Sequence, residues 1–90
     1  MTHRTIKAWV SGRVQGVSYR EHVRRHAERW GISGHAINLE DGRVEVIAHG
    51  EAIAIAELID HLWDGSSAAD VTDVTVEEAT FAAPLSFTTG

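Results

Sequence analysis

The chain has 90 residues, 43% of them hydrophobic, no cysteine and a formal net charge of −5. That length and composition suit one compact domain with a modest core, residues 1–90, and the missing cysteine excludes a disulfide framework, a thiolate metal site and a cysteine nucleophile. No apolar run approaches the roughly 20 residues of a membrane span, and Met1-Thr2-His3-Arg4 leads into a strand-like pattern without a signal peptide, so a soluble cytoplasmic protein is expected.

Charge is unevenly spread. Residues 1–29 carry a net charge of +5 and residues 30–90 a net charge of −10. A basic end on an acidic chain suits an anion site, a nucleic-acid patch or attraction between the two halves.

Thr5 to Gly12 alternates, with Ile6, Ala8 and Val10 on one side and Lys7, Trp9 and Ser11 on the other, as in a strand buried on one face. Residues 12–18 form a glycine-bounded connection. Ser18 and Glu21 match the S-x-x-E capping box at the start of a helix. Tyr19, Val23, Ala27 and Trp30 recur on its buried face, Glu21–Arg25 and Arg24–Glu28 pair outside, and Gly31 ends it. His35 to Leu39 is a short strand, Glu40-Asp41-Gly42 a turn and Arg43 to His49 the partner strand, with Val44, Val46 and Ala48 inward and Gly50 breaking the pattern. A second helix, Glu51 to Asp64, gathers Ile55, Leu58, Ile59 and Leu62 on one face and ends at Gly65-Ser66-Ser67. Val71 to Thr80 is a fourth strand, and Leu85 to Phe87 a candidate short edge strand. The order is that of an α+β, ferredoxin-like βαββαβ sandwich: an antiparallel sheet with two helices on one face.

The 12–18 loop is neither a Walker A loop nor a G-x-G-x-x-G turn. A tight strand-to-helix turn gathers backbone N–H groups into a concave nest, and the helix N-terminus adds partial positive charge. Arg20, in the first turn, can grip two oxygens of a phosphate. Loop, dipole and arginine together describe an oxyanion cradle; the alternative is an ordinary connection followed by a solvated arginine.

Val10 to Arg20, VSGRVQGVSYR, closely resembles the acylphosphatase signature, roughly G-x-V-Q-G-V-x-[FY]-R, matching at Gly12, Val14, Gln15, Gly16, Val17, Tyr19 and Arg20. Gly31 to Glu45 is similar to a second block of that family, roughly G-x-x-G-x-V-x-N-x-x-D-G-x-V-E, matching at Gly31, Gly34, Asn38, Asp41, Gly42, Val44 and Glu45. The resemblance implies a small ferredoxin-like hydrolase that cleaves carboxyl-phosphate anhydrides without metal, cofactor or phosphoenzyme. Carried over residue by residue, it makes Arg13, Val14, Gln15, Gly16, Val17, Ser18 and Arg20 the phosphate-binding set. Arg20 and Asn38 become the catalytic pair, with Asn38 holding the attacking water. The substrate is then a small-molecule acyl phosphate, inorganic phosphate is product and inhibitor, and the protein is a monomer with no nucleic-acid or membrane partner.

Two local patterns pull against this assignment. Alternation through 35–39 sets Ile37 and Leu39 opposite Asn38 and leaves Asn38 outside the core, whereas the resemblance puts Ala36 and Asn38 on the helix-facing side. A capping box would spend the Ser18 N–H on Glu21 and bring a carboxylate near the anion, unless Glu21 pairs with Arg25. The chain also departs from the family pattern at His35, Ala36, Ile37 and Ser66, where an aromatic, a larger aliphatic, a polar residue and a proline are usual.

His22 and His26 have metal-ligand spacing, but no nearby carboxylate completes a set; solvated helix histidines are the expectation. Arg24, Arg25 and Arg29 read as solvated ion-paired residues, or as a surface that steers anions. Trp30 and Trp63 read as packing residues and Trp9 as partly exposed. Among other functions, an anion-binding module without turnover needs only the cradle. RNA binding needs stacking aromatics that the third strand lacks. The family module also occurs at the start of hydrogenase-maturation carbamoyltransferases.

Overall fold

The computed structural model describes residues 2–65, 68–81 and 84–89. Strand β1 is His3–Arg13, helix α1 Tyr19–Arg29, β2 Ser33–Asn38, β3 Val44–Glu51, α2 Ala52–Asp64, β4 Asp70–Glu78 and β5 Phe87–Thr89. The sheet order is β4-β1-β3-β2-β5. β1 lies antiparallel to β3 and β4, and β2 antiparallel to β3. This is the expected ferredoxin-like sandwich. β5 adds itself to the outer edge of β2, parallel to it, with Gly34 opposite Phe87 and Ala36 opposite Thr89.

Period-two alternation decides which face of the sheet is covered. Ile6, Ala8 and Val10 pair across to Ala48, Val46 and Val44, and all six are fully buried. Both helices lie on that face. α1 brings Tyr19, Val23 and Ala27, and α2 brings Ile55, Leu58 and Leu62. Each fully buried aliphatic side chain contributes roughly 1.5–3 kcal/mol. On the opposite face, Lys7 pairs with Glu45 and reaches over the Trp9 ring, and His35 meets the other Glu45 oxygen at 3.1 Å. The charge split is partly spent in such contacts: Arg4 of β1 donates to both carboxylate oxygens of Glu78 of β4, Nε to Oε1 and Nη2 to Oε2.

Trp30 and Trp63 depart from the expectation, each being about half exposed. Trp30 is the C-cap of α1 and has left the helical face. The Ile32 N–H bonds the Ala27 carbonyl and the Gly31 N–H that of Glu28. With Gly31 at φ 69°, this is a Schellman ending that turns Ile32 rather than Trp30 into the core. Trp63 follows Leu62 by a 100° step, off the buried stripe of α2. Gly50 does not end β3, which runs on to Glu51. Gly65 caps α2, while the expectations for Ser66 and Ser67 lie outside the described residues.

Candidate active site

The chain leaves β1 at Arg13 and enters α1 at Tyr19 through five residues. Two of them, Gly16 (φ 73°) and Ser18 (φ 63°), are in the left-handed conformation. Glycine accepts that backbone freely, and Ser18 is the one non-glycine residue among those described that adopts it. An alternation of hand of this kind is the backbone geometry in which successive N–H groups can gather into an anion-binding nest. The α1 axis begins there, and its first amides have no carbonyl partner within the helix.

The capping box does not form. The Ser18 side chain makes no capping hydrogen bond. Glu21 accepts instead from Arg24 and Arg25. The Arg24 hydrogen bond, followed by that of Arg25, holds the Glu21 pKa down to about 2. A left-handed Ser18 cannot hold the extended N-cap geometry that aims a hydroxyl at the first turn. The consequence favours anion binding: the first-turn amides are not spent on a cap, and the Glu21 carboxylate is neutralised by two guanidinium groups.

Val14, Gly16, Ser18, Tyr19, Arg20, Glu21 and Thr89 line a concavity of about 300 Å³. Arg20 is partly buried there and makes no ion pair or hydrogen bond among the described residues. Arg24, four residues on, is saturated by Glu21 and Glu28. A partly buried guanidinium without a counter-ion, beside unspent amides, is an arrangement to which an oxyanion is complementary. The wall behind it is firm. Val14 is buried, and the Tyr19 hydroxyl donates to the Leu62 carbonyl at 2.7 Å, joining the start of α1 to the end of α2. Burial raises the Tyr19 pKa well above its usual value, so the phenol stays protonated.

The other expected residues take different places. Gln15 does not line the concavity; its side-chain amide donates to the carbonyls of Leu39 (2.8 Å) and Arg43 (3.0 Å), clamping the loop to the β2–β3 turn. Val17 packs partly buried against the core. Arg13 is exposed at the end of β1, opposite Asp70, and lies outside the concavity. Asn38 ends β2 and is exposed. By the period of two it shares the side of β2 on which Ala36 is fully buried, the side the family resemblance gives it. Ala36 pairs with Thr89, itself in the concavity wall, while Asn38, two residues further along β2, is not among the residues lining the hollow. Thr89 is the lining residue that sequence reasoning missed; no motif marks it, and only the parallel pairing of β5 carries it there.

Fold and site together define a class: a ferredoxin-like α+β domain with an oxyanion-complementary hollow at its first strand-to-helix turn. Comparisons with known proteins narrow this. The acylphosphatase family model matches residues 6–88. An acylphosphatase of Chromohalobacter salexigens is 46% identical over the full length of both chains. One of Hahella chejuensis is 55% identical over 73 residues, 81% of this chain and 78% of that one. The solved structure of an acylphosphatase from Coxiella burnetii superposes with a TM-score of 0.93 at 39% identity, covering 98% of this chain and 93% of that one. The chain belongs to the acylphosphatase family, and its activity is the hydrolysis of acyl phosphates.

Proposed function

We propose that this chain hydrolyses small-molecule acyl phosphates by direct attack of water on phosphorus, with Arg20 and the 12–18 loop holding the phosphoryl group and Asn38 holding the water. The observation that carries the proposal is Arg20: partly buried, without an ion pair among the described residues, and facing the same hollow as Gly16 and Ser18.

Phosphoryl transfer is mostly positioning and stabilisation of charge on the equatorial oxygens. Arg20 grips two of them, and the loop amides meet the third. Arg13, at the mouth of the loop, adds positive charge that draws the dianion in. The Asn38 side chain accepts one hydrogen bond from water and donates others, but it is not a base. The water oxygen bonds to phosphorus, the bond from phosphorus to the bridging carboxyl oxygen breaks, and a carboxylate and phosphate leave. The water proton passes to a phosphoryl oxygen. A carboxylate is a stable leaving anion, so no strong general acid is needed. Inorganic phosphate, as the product, occupies the same cradle and inhibits.

A monomer in the cytoplasm remains our reading of its setting. No helix among the described residues is long and apolar enough to cross a membrane.

A single turnover of benzoyl phosphate in 18O-water tests the route. Label in the phosphate supports attack at phosphorus, whereas label in the benzoate means attack at the carbonyl carbon and overturns it.

A further inference from the structure

The two helices share a cluster that the hydrolytic site does not use. His22 and His26 stand one turn apart on α1, and His61 reaches across from α2. The His26 and His61 rings lie 3.8 Å apart, tilted by 33°. With Arg25 and Arg29 they line a surface pocket of about 220 Å³, which shares no lining residue with the hollow at Arg20. Every lining side chain is cationic or becomes so on protonation. The Nε2 atoms of His22 and His26 are buried without a hydrogen-bond partner. Arg29 makes no ion pair among the described residues, and Arg25 shares Glu21 with Arg24.

We propose that this pocket is a second oxyanion site, which fills as its imidazoles take up protons, and that its ligand is a small tetrahedral dianion of the phosphate or sulfate type.

The argument rests on what the cluster lacks. Buried polar atoms normally find a partner, and here two imidazole nitrogens have none. A protonated imidazole donates from both nitrogens, so protonation enlarges the set of donors. It also places positive charge beside two guanidinium groups, which costs electrostatic energy. Burial, then the neighbouring His61, hold the His22 and His26 pKa values below the usual range; Arg25 acts in the same sense on His22 and Arg29 on His26. From α2, Asp64 pulls the His22 value up and Glu57 the His26 value, without reversing the shift. A bound dianion supplies the counter-charge that a pocket lined only by arginine and histidine lacks, so anion and proton uptake reinforce one another. The arginines can each approach a tetrahedral oxyanion through several N–H groups. A divalent cation is the rival occupant suggested by the His22–His26 spacing. Arg25 and Arg29 oppose it, and no three His, Cys, Asp or Glu side chains among the described residues are arranged to hold one.

Sulfate is the probe, because it stays a dianion from acid to neutral pH. In the Arg20→Ala chain, which weakens the other cradle, sulfate is titrated against chloride of equal ionic strength while the imidazole 15N resonances are followed. We expect saturable shifts of His22, His26 and His61 at about pH 5.5, with affinity at least about tenfold weaker at about pH 8. Arg29→Gln, an exposed change at the end of α1, should weaken binding about tenfold at the lower pH, and His26→Gln should flatten the pH dependence. The wild-type chain gives the same local readout if Arg20→Ala proves poorly folded. Absence of imidazole shifts at about pH 5.5, equal affinity at both pH values, or indifference to Arg29→Gln overturns the proposal. Zinc chloride moving these resonances where sulfate does not would assign the pocket to a cation instead.

Discussion

The side-chain amide of Gln15 donates to the Leu39 carbonyl at 2.8 Å, so a residue of the anion loop is tied to the residue that directly follows Asn38. A second bond, to the Arg43 carbonyl, grips the other side of the same turn. One glutamine thereby couples the two halves of the proposed site. Gln15→Ala removes both bonds, each contributing about 0.5–1.5 kcal/mol, while the Leu39 and Arg43 carbonyls keep their backbone donors, the Gly42 and Leu39 N–H groups. Turnover should fall by more than substrate binding, because the phosphoryl cradle survives while its distance to Asn38 is no longer held. Urea denaturation and the split between kcat and KM for benzoyl phosphate check the two parts separately.

Ser18 occupies the N-cap position without capping. Ser18→Ala should therefore change stability by less than about 0.5 kcal/mol, where loss of a capping hydroxyl typically costs about 1 kcal/mol. Alanine meets the same left-handed backbone, so that strain cancels in the comparison. Thermal unfolding of the two chains measures the difference.

Tyr19 anchors the wall of the hollow from within the core. Tyr19→Phe keeps the ring and loses the bond to Leu62, which should cost about 1–2 kcal/mol. Since the hydroxyl is spent on α2, hydrolysis at saturating substrate should stay close to wild type. A large loss of kcat in a folded Tyr19→Phe chain would show that the phenol acts in the site itself.

Stability should fall on acidification through the histidine range. The folded-state pKa values of His22 and His26 lie below their ordinary value of about 6.5. The unfolded chain thus binds protons first; the stabilisation is complete above about pH 6.5 and is lost as pH falls through the folded values. Tm measured in chloride should drop between about pH 7 and about pH 5, and His26→Gln should shrink that drop.

Much of this was legible in the residues. Alternation in β1 and β3 named the buried face, because a strand covered on one side repeats with period two. The Gly12–Arg20 run marked the hollow, because that backbone needs glycine where its hand reverses. Three things were not legible. Ser18 and Glu21 have the right spacing for a capping box, but spacing does not reveal that Ser18 is left-handed or that two arginines claim Glu21. Trp30 matches the helical stripe, yet the Schellman ending turns Ile32 inward in its place. Thr89 reaches the site by parallel pairing with a strand some fifty residues earlier, and no local pattern records that.

The most direct test of the account compares Arg20→Ala with Asn38→Ala, measuring benzoyl phosphate turnover and inorganic phosphate affinity in both. Each should lose about 10²–10³-fold or more in kcat. Only Arg20→Ala should also lose phosphate binding; Asn38→Ala should bind phosphate as the wild type does. Wild-type turnover in Asn38→Ala, or unchanged phosphate affinity in Arg20→Ala, would contradict the division of labour between the two residues.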